Sequence, residues 1–189
     1  MGARPRSAVV FSLPARNEHP LAKPPPPHLI TIDELAGRLQ PGQRLLGLDV
    51  GSKTIGLALS DVSCTIASAL STIERRKFTL DARQLLAIAS EHAVAALIIG
   101  LPINLDGTEG PRAQSTRAFM RSLAPLTLLP LVFWDERLST QAAERTLLEA
   151  DTSRKRRSEV IDKMAAAFIL QGFLDRLRRL TADRADTRI

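Results

Sequence analysis

The stretch Leu46-Gly47-Leu48-Asp49-Val50-Gly51-Ser52-Lys53-Thr54-Ile55-Gly56-Leu57-Ala58-Leu59-Ser60 decides the fold. Leu45–Val50 is a short apolar run and reads as a strand. Thr54–Ser60 and Thr65–Ile73 read as two more, joined by short polar turns. Three strands at this spacing predict an antiparallel meander. Asp49 is the anomaly in the first of them. On a two-residue period it shares a face with Leu45 and Gly47. A buried carboxylate without a partner is expensive, so it must be protonated, hydrogen-bonded by turn N–H groups, or bound to a cation. Gly47, Gly51 and Gly56 carry no side chains, so another backbone or a phosphate can come close. The ordinary alternative is an aspartate that caps a turn.

Downstream, helices and strands alternate. Leu80–His92 carries a helical stripe of Leu85, Leu86, Ile88 and Ala89. Ala95–Leu101 reads as a buried strand, Pro102–Pro111 as a turn-rich loop, Arg112–Leu123 as a helix and Leu128–Trp134 as a strand. Ser139–Ala150 reads as a helix with Ser139 or Thr140 as its N-cap. Ser158–Leu180 is a longer helix, apolar nearly all round at Met164–Leu170 and so buried there. Strands separated by helices pair in parallel by crossover. The expected fold is α/β: a mixed five-stranded sheet, with three antiparallel strands and then parallel ones, and helices on both faces.

Upstream, seven of the 12 prolines fall in the first 27 residues, including Pro24–Pro27. Proline lacks an N–H and fixes φ, so this stretch joins neither a helix nor a sheet interior. The expected organisation is a flexible N-terminal extension over residues 1–40, one domain over 41–180 and a C-terminal tail over 181–189. Thr31–Arg38 reads as a short helix, capped by Thr31 or Asp33 and stopped near Pro41 and Gly42. Arg4, Arg6 and the run Ala8–Leu13 resemble a secretion signal only faintly, because Pro14 interrupts the run. The expected location is the cytoplasm.

Composition narrows the function. The chain has 189 residues, 44% hydrophobic and 24% charged, which supports a real core and excludes wholesale disorder. The longest nearly apolar stretch, Ala93–Ile103, is too short to span a bilayer, so no membrane partner is expected. One cysteine, Cys64, excludes a disulfide framework and a multi-cysteine zinc site. The net charge is +6, and it is unevenly placed. Residues 41–149 hold 11 basic and 11 acidic side chains, whereas residues 150–189 hold 10 and 6. The densest cluster is Arg154, Lys155, Arg156 and Arg157. Read as a solvated loop it is ordinary; read functionally it contacts a phosphate backbone, and binding is then salt-dependent.

Two more places carry acids that a core would not want. Asp135-Glu136-Arg137 follows the apolar strand directly, and ligands of open α/β sheets gather at the carboxyl ends of strands. Two adjacent acids on extended chain point to opposite sides, so one of the two reaches the site. In the last helix, Asp162, Ala165, Ala166, Ile169 and Phe173 share a face, and the alanines let that face approach a sheet. Each position has a plain alternative: an Arg137 ion pair in the one case, a first-turn aspartate favoured by the helix dipole in the other. Together, three such acids could converge, and they would repel one another unless a hard cation lay between them. Oxygen ligands without a histidine or cysteine cluster select Mg²⁺ or Mn²⁺. Metals held this way activate water and stabilise the leaving oxygen in phosphodiester cleavage.

Four blocks resemble the YqgF (RuvX) family. They are Leu46–Asp61, then Gly100-Leu101-Pro102 with Asp106-Gly107, then Asp135-Glu136-Arg137-Leu138-Ser139-Thr140, and finally Asp162 with Ala165-Ala166 and Ile169-Leu170. The resemblance covers roughly Arg44–Leu177 in the right order. It implies an RNase H-like fold and a nuclease of precursor 16S rRNA, a family once described as Holliday junction resolvases. It also implies that Asp49 and Asp162 are metal-binding catalytic acids, with Glu136 or Asp135 as the third and Glu136 preferred. Lys53 and Arg154–Arg157 are the expected nucleic-acid contacts, although a surface lysine after a turn is commonly just solvated. Many members have arginine where this chain has Thr54, which removes one possible phosphate contact. The expected partner is an rRNA precursor or branched DNA, and the chain is expected to act as a monomer or a homodimer.

Two other readings compete. Asp49-x-Gly51 with Gly56 also resembles the first phosphate loop of actin-like and sugar-kinase ATPases, but the chain has no second Asp-x-Gly motif. An RNase H-like module that binds nucleic acid without cutting it is the other. Keeping three acids beside phosphates disfavours it, because a pure binder gains from removing negative charge there.

Overall fold

A computed structural model describes the secondary structure of residues 28–138 and 156–186, with side chains over 28–138 and 163–184. The first helix, α1 (Ile32–Arg38), opens with a capping box in which Glu34 N–H donates to the Thr31 hydroxyl and the Glu34 carboxylate accepts from Thr31 N–H. The strands β1 (Arg44–Val50), β2 (Thr54–Ser60) and β3 (Ala67–Glu74) form the antiparallel meander. Then come α2 (Phe78–Glu91), β4 (Val94–Leu101), α3 (Pro111–Leu123), β5 (Leu131–Asp135) and the long α4 (Arg156–Asp186). The strand order is β3-β2-β1-β4-β5, with β4 parallel to β1 and β5 parallel to β4. This is the mixed five-stranded sheet expected from the sequence, three antiparallel strands followed by parallel ones.

Strand alternation divides the core in two. Leu46, Leu48, Ile55 and Leu57 face α2 and α3, where Leu85, Ala89, Phe119 and Met120 complete a buried cluster. Leu45, Ala58, Ile98 and Trp134 face α4, which contributes Ala166, Ile169, Leu170 and Phe173. Gly47 is what lets α4 lie so close. A Cβ there would fall 2.7 Å from Leu170 Cβ and 3.1 Å from the Ala166 carbonyl oxygen.

Several boundaries differ from the sequence reading. The strand expected from Leu128 begins at Leu131, because Ala124–Leu126 forms a 3-10 turn and Pro130 has no N–H to pair. The third strand begins at Ala67 rather than Thr65, because Asp61 Oδ1 accepts from the N–H groups of Thr65 and Ile66 and holds both in the turn. The packed body starts at His28, not at residue 41. Ile30 N–H donates to the Leu131 carbonyl at 3.0 Å, Leu131 N–H to that of His28 at 2.8 Å, and Leu35 is buried under α4. At the other end α4 continues to Asp186, through much of the expected tail. The helix expected over Ser139–Ala150 lies outside the described residues, as does the proline-rich stretch 1–27. Among the described residues no helix is long and apolar enough to cross a membrane.

Candidate active site

The candidate site lies at the carboxyl ends of β1, β4 and β5, on the face that α4 covers. Asp49 sits there because it follows Gly47 by two residues on that face. It is buried, with 6% of its surface exposed. Its neighbour on β2 is Gly56. On the other side, the parallel register that pairs Leu48 with Ile99 continues to bring Gly100 beside it. Neither neighbouring strand therefore sets a side chain of its own beside Asp49 at this level, which leaves a gap in the row of strand side chains.

Glu136 fills the far side of that gap. It opens the short 3-10 turn Glu136–Leu138 that ends β5. A Cβ on Gly100 would fall 2.8 Å from Glu136 Oε1 and 2.4 Å from Ile169 Cδ1, so the glutamate lies over Gly100, against α4. Glu136 Oε1 is fully buried. Asp135 is turned elsewhere. Arg137 donates to both its carboxylate oxygens, at 3.1 and 2.7 Å. Those hydrogen bonds hold the Asp135 carboxyl below the usual carboxylate range and raise the arginine in turn. The alternation that sends adjacent acids to opposite faces is therefore observed, and Glu136 is the one on the face of Asp49.

The long helix α4 runs antiparallel to β1. Its Ala166–Leu170 segment covers Gly47, while Gln171 Nε2 donates to the Thr65 carbonyl at the opposite end of the sheet. Its first turns, with the backbone of Asp162, thus lead towards the gap between Asp49 and Glu136. The Asp162 side chain lies outside the described residues. So do Arg154 and Lys155 altogether and the side chains of Arg156 and Arg157. Among the described residues no three histidine, cysteine, aspartate or glutamate side chains gather as a metal cluster. The donors that are described, a buried aspartate and a buried glutamate oxygen, are hard oxygen ligands and fit Mg²⁺ or Mn²⁺. A thiolate- or imidazole-seeking metal finds nothing here.

Cations rim the site. Arg112, in the first turn of α3, reaches Asp49 with Nη2 4.0 Å from Oδ1. Sequence reasoning does not single out Arg112 as a site residue, because nothing in a linear reading joins residues 49 and 112. Lys53 is exposed on the β1–β2 turn, as expected. That turn is clamped by Arg75, another contribution the sequence did not reveal. Its Nη1 donates to the Gly51 carbonyl at 2.7 Å, and its N–H to that of Lys53 at 2.8 Å. Arg117 is committed to structure: it chelates Glu109 and stacks 4.8 Å over the Phe133 ring. Arg137 Nη1 also reaches the Asn104 carbonyl, tying the Asn104–Thr108 turn to the end of β5.

The family model described as RuvX, "Holliday junction resolvase", matches residues 43–176. A "Putative pre-16S rRNA nuclease" of Methylocella silvestris is 57% identical over 155 residues, covering 82% of this chain and 96% of its own. Proteins of the same name from Ruegeria pomeroyi and Paramagnetospirillum magneticum are 61% and 63% identical, covering 79% and 75% of this chain and 97% and 92% of theirs. Among solved structures, the yeast mitochondrial Holliday junction resolvase Ydc2 aligns with a TM-score of 0.49 at 14% identity, over 82% of this chain and 90% of that one. The match of the family model across the whole sheet and into α4, and the identity to these relatives over most of their length, make the chain a member of the RuvX family.

Proposed function

We propose that this protein is a metal-dependent nuclease that hydrolyses phosphodiester bonds at the 5′ end of precursor 16S rRNA, acting in the cytoplasm. The observation that carries the reading is the placement of the buried Asp49 and of a buried Glu136 carboxylate oxygen on either side of Gly100, on one face of the sheet. Buried acids in a strand end are costly, and a bound cation offsets that cost. Asp49, Glu136 and Asp162 would hold Mg²⁺ or Mn²⁺, and the bound metal supplies an activated water and stabilises the leaving oxygen. The protein's own share is orientation. Gly100 and Ile169 fix the Glu136 carboxylate against α4, and the antiparallel run of α4 brings Asp162 to the same end of the sheet. Asp135 stays with Arg137 and takes no metal. Lys53 and the Arg154–Arg157 cluster contact the backbone of the substrate. A polynucleotide, unlike a small phosphate ester, has phosphates on both sides of the cut for such contacts.

The rRNA assignment rests on the relatives, which carry that name over nearly their full length. The family model's description favours a second substrate, the four-way DNA junction. A resolvase cuts two strands symmetrically and calls for a homodimer, whereas rRNA trimming is met by a monomer. Labelled rRNA precursor ends and four-way junctions, incubated side by side with Mg²⁺, Mn²⁺ or EDTA, separate the two. Metal-dependent cutting of the precursor alone is the expected result. Cutting of the junction alone transfers the assignment to DNA. Binding of either without cutting under any metal condition leaves a binding module.

A further inference from the structure

A cleft of about 430 Å³ opens beside Asp49, between the β1–β2 turn and the first turn of α3. Among its lining residues Lys53 and Arg112 carry positive charge and Ser52, Thr54 and Ser115 carry hydroxyls. Arg112 belongs to both places, since it lines the cleft and approaches the Asp49 carboxylate at 4.0 Å. Its side chain is 64% exposed, whereas that of Asp49, on a central strand, is 7% exposed. At 4.0 Å the pair is a loose contact, not a chelating fork of the kind Arg117 makes with Glu109.

We propose that Arg112 is an exchangeable counter-cation: it neutralises Asp49 when no metal is bound, and turns into the cleft to hold a backbone phosphate when a metal takes its place. Lys53 is the second cation of that phosphate subsite, and the hydroxyls of Ser52, Thr54 and Ser115 supply neutral donors. The chemistry selects a phosphodiester one step removed from the bond that is cut, because the cleft lies to one side of Asp49, on β1, and away from Glu136, on β5. The subsite also explains how the chain tolerates Thr54 in place of a longer cation: Arg112 supplies the charge from across the cleft. This inference rests on Asp49 being a metal ligand, but its test does not read cleavage.

Two equilibria test it on the full-length protein. The first is Mn²⁺ binding by calorimetry without nucleic acid. Arg112→Gln should tighten it about two- to fivefold, the range of one partly exposed ion pair. The second is binding of a single-stranded oligonucleotide in EDTA, followed against salt. Asp49→Asn should strengthen that binding, and the gain attributable to Arg112 should vanish in the Asp49→Asn, Arg112→Gln double variant. With Mg²⁺ present and Asp49 intact, Arg112→Gln and Lys53→Gln should each lower the salt slope by about one. Arg112→Lys should restore the slope, because a cation suffices for a phosphate. Weaker or unchanged Mn²⁺ binding by Arg112→Gln overturns the counter-cation role. An unchanged salt slope in the same variant overturns the subsite. No detectable Mn²⁺ binding by the wild type and every variant removes the metal reading itself, which a failure confined to Arg112 does not.

Discussion

Asp49 and Glu136 are paid for locally by the glycines around them. Gly56 pairs with Asp49, and Gly100 leaves the space that Ile169 and the Glu136 carboxylate occupy, so a side chain at Gly100 would displace them. The aspartate was legible in the sequence, because an acid with glycines inside an apolar strand breaks the pattern. Its partner was legible only as one of two, Asp135 or Glu136. The choice depends on Arg137 seizing Asp135, a side-chain contact that strand alternation does not reveal. Arg112 was not legible at all, since its contact with Asp49 crosses from one element to another. Asp61 shows what an acid does when it serves only structure. The N–H of Ile66, the Ser63 hydroxyl and the N–H of Thr65 all donate to it, and its pKa is lowered from 3.8 to about 2. A carboxyl lowered in the folded state adds stability above its unfolded pKa and loses it as pH falls through the folded value. The urea midpoint of the wild type should therefore drop between pH 3.8 and about 2. Asp61→Ala should start lower near neutral pH and drop less over that window; an equal drop in both proteins would show that Asp61 does not link folding to acid.

At the scale of elements, hydrophobic periodicity carried most of the fold. Alternating runs marked β1 and β2 to the residue or nearly so, and the stripe in α2 was visible from its leucines. The errors share a cause: local chemistry that periodicity does not register. Pro130 delays β5 and Asp61 delays β3, whereas the short helix read at Thr31–Arg38 is present, started by the Thr31–Glu34 capping box. That helix docks because its Leu35 finds an apolar seat under α4, a long-range fact. The packing of α4 on the sheet joins fold to site. A methyl group at residue 100 would sit 2.4 Å from Ile169 Cδ1 and 2.8 Å from Glu136 Oε1. Gly100→Ala should cost about 1–3 kcal/mol in urea unfolding, as overpacking does, and should lower cleavage although no acid is removed. Wild-type stability together with wild-type cleavage would mean that Glu136 is not held where the fold places it.

For the whole molecule, the charge distribution supports a polyanionic substrate. The middle of the chain is neutral, and the excess cation lies at the ends, most of it after residue 150. The Arg154–Arg157 cluster runs into the first residues of the helix that carries Asp162, so the cationic stretch and that acid are close in the chain. Replacing the four cations by glutamate should weaken nucleic-acid binding and flatten its dependence on salt, by about one in slope for each phosphate no longer neutralised. An unchanged slope would reduce the cluster to an ordinary solvated loop. The fold class and the mix of antiparallel and parallel strands were readable from the sequence because they follow from pattern over many residues. The convergence of the acids was readable only as a hypothesis, because three elements far apart in the chain must meet at one end of a sheet. The central claim is that Asp49, Glu136 and Asp162 hold a metal that cuts nucleic acid. The measurement that tests it most directly is the Mg²⁺-dependent cleavage rate of Asp49→Asn, Glu136→Gln, Asp162→Asn and Asp135→Asn against wild type, with circular dichroism to establish folding. The first three should fold and lose about a hundredfold or more in rate, the range that removal of a positioned group in metal-assisted hydrolysis commands, while Asp135→Asn keeps most of it. A folded Asp49→Asn or Glu136→Gln protein that cleaves at the wild-type rate would contradict the account.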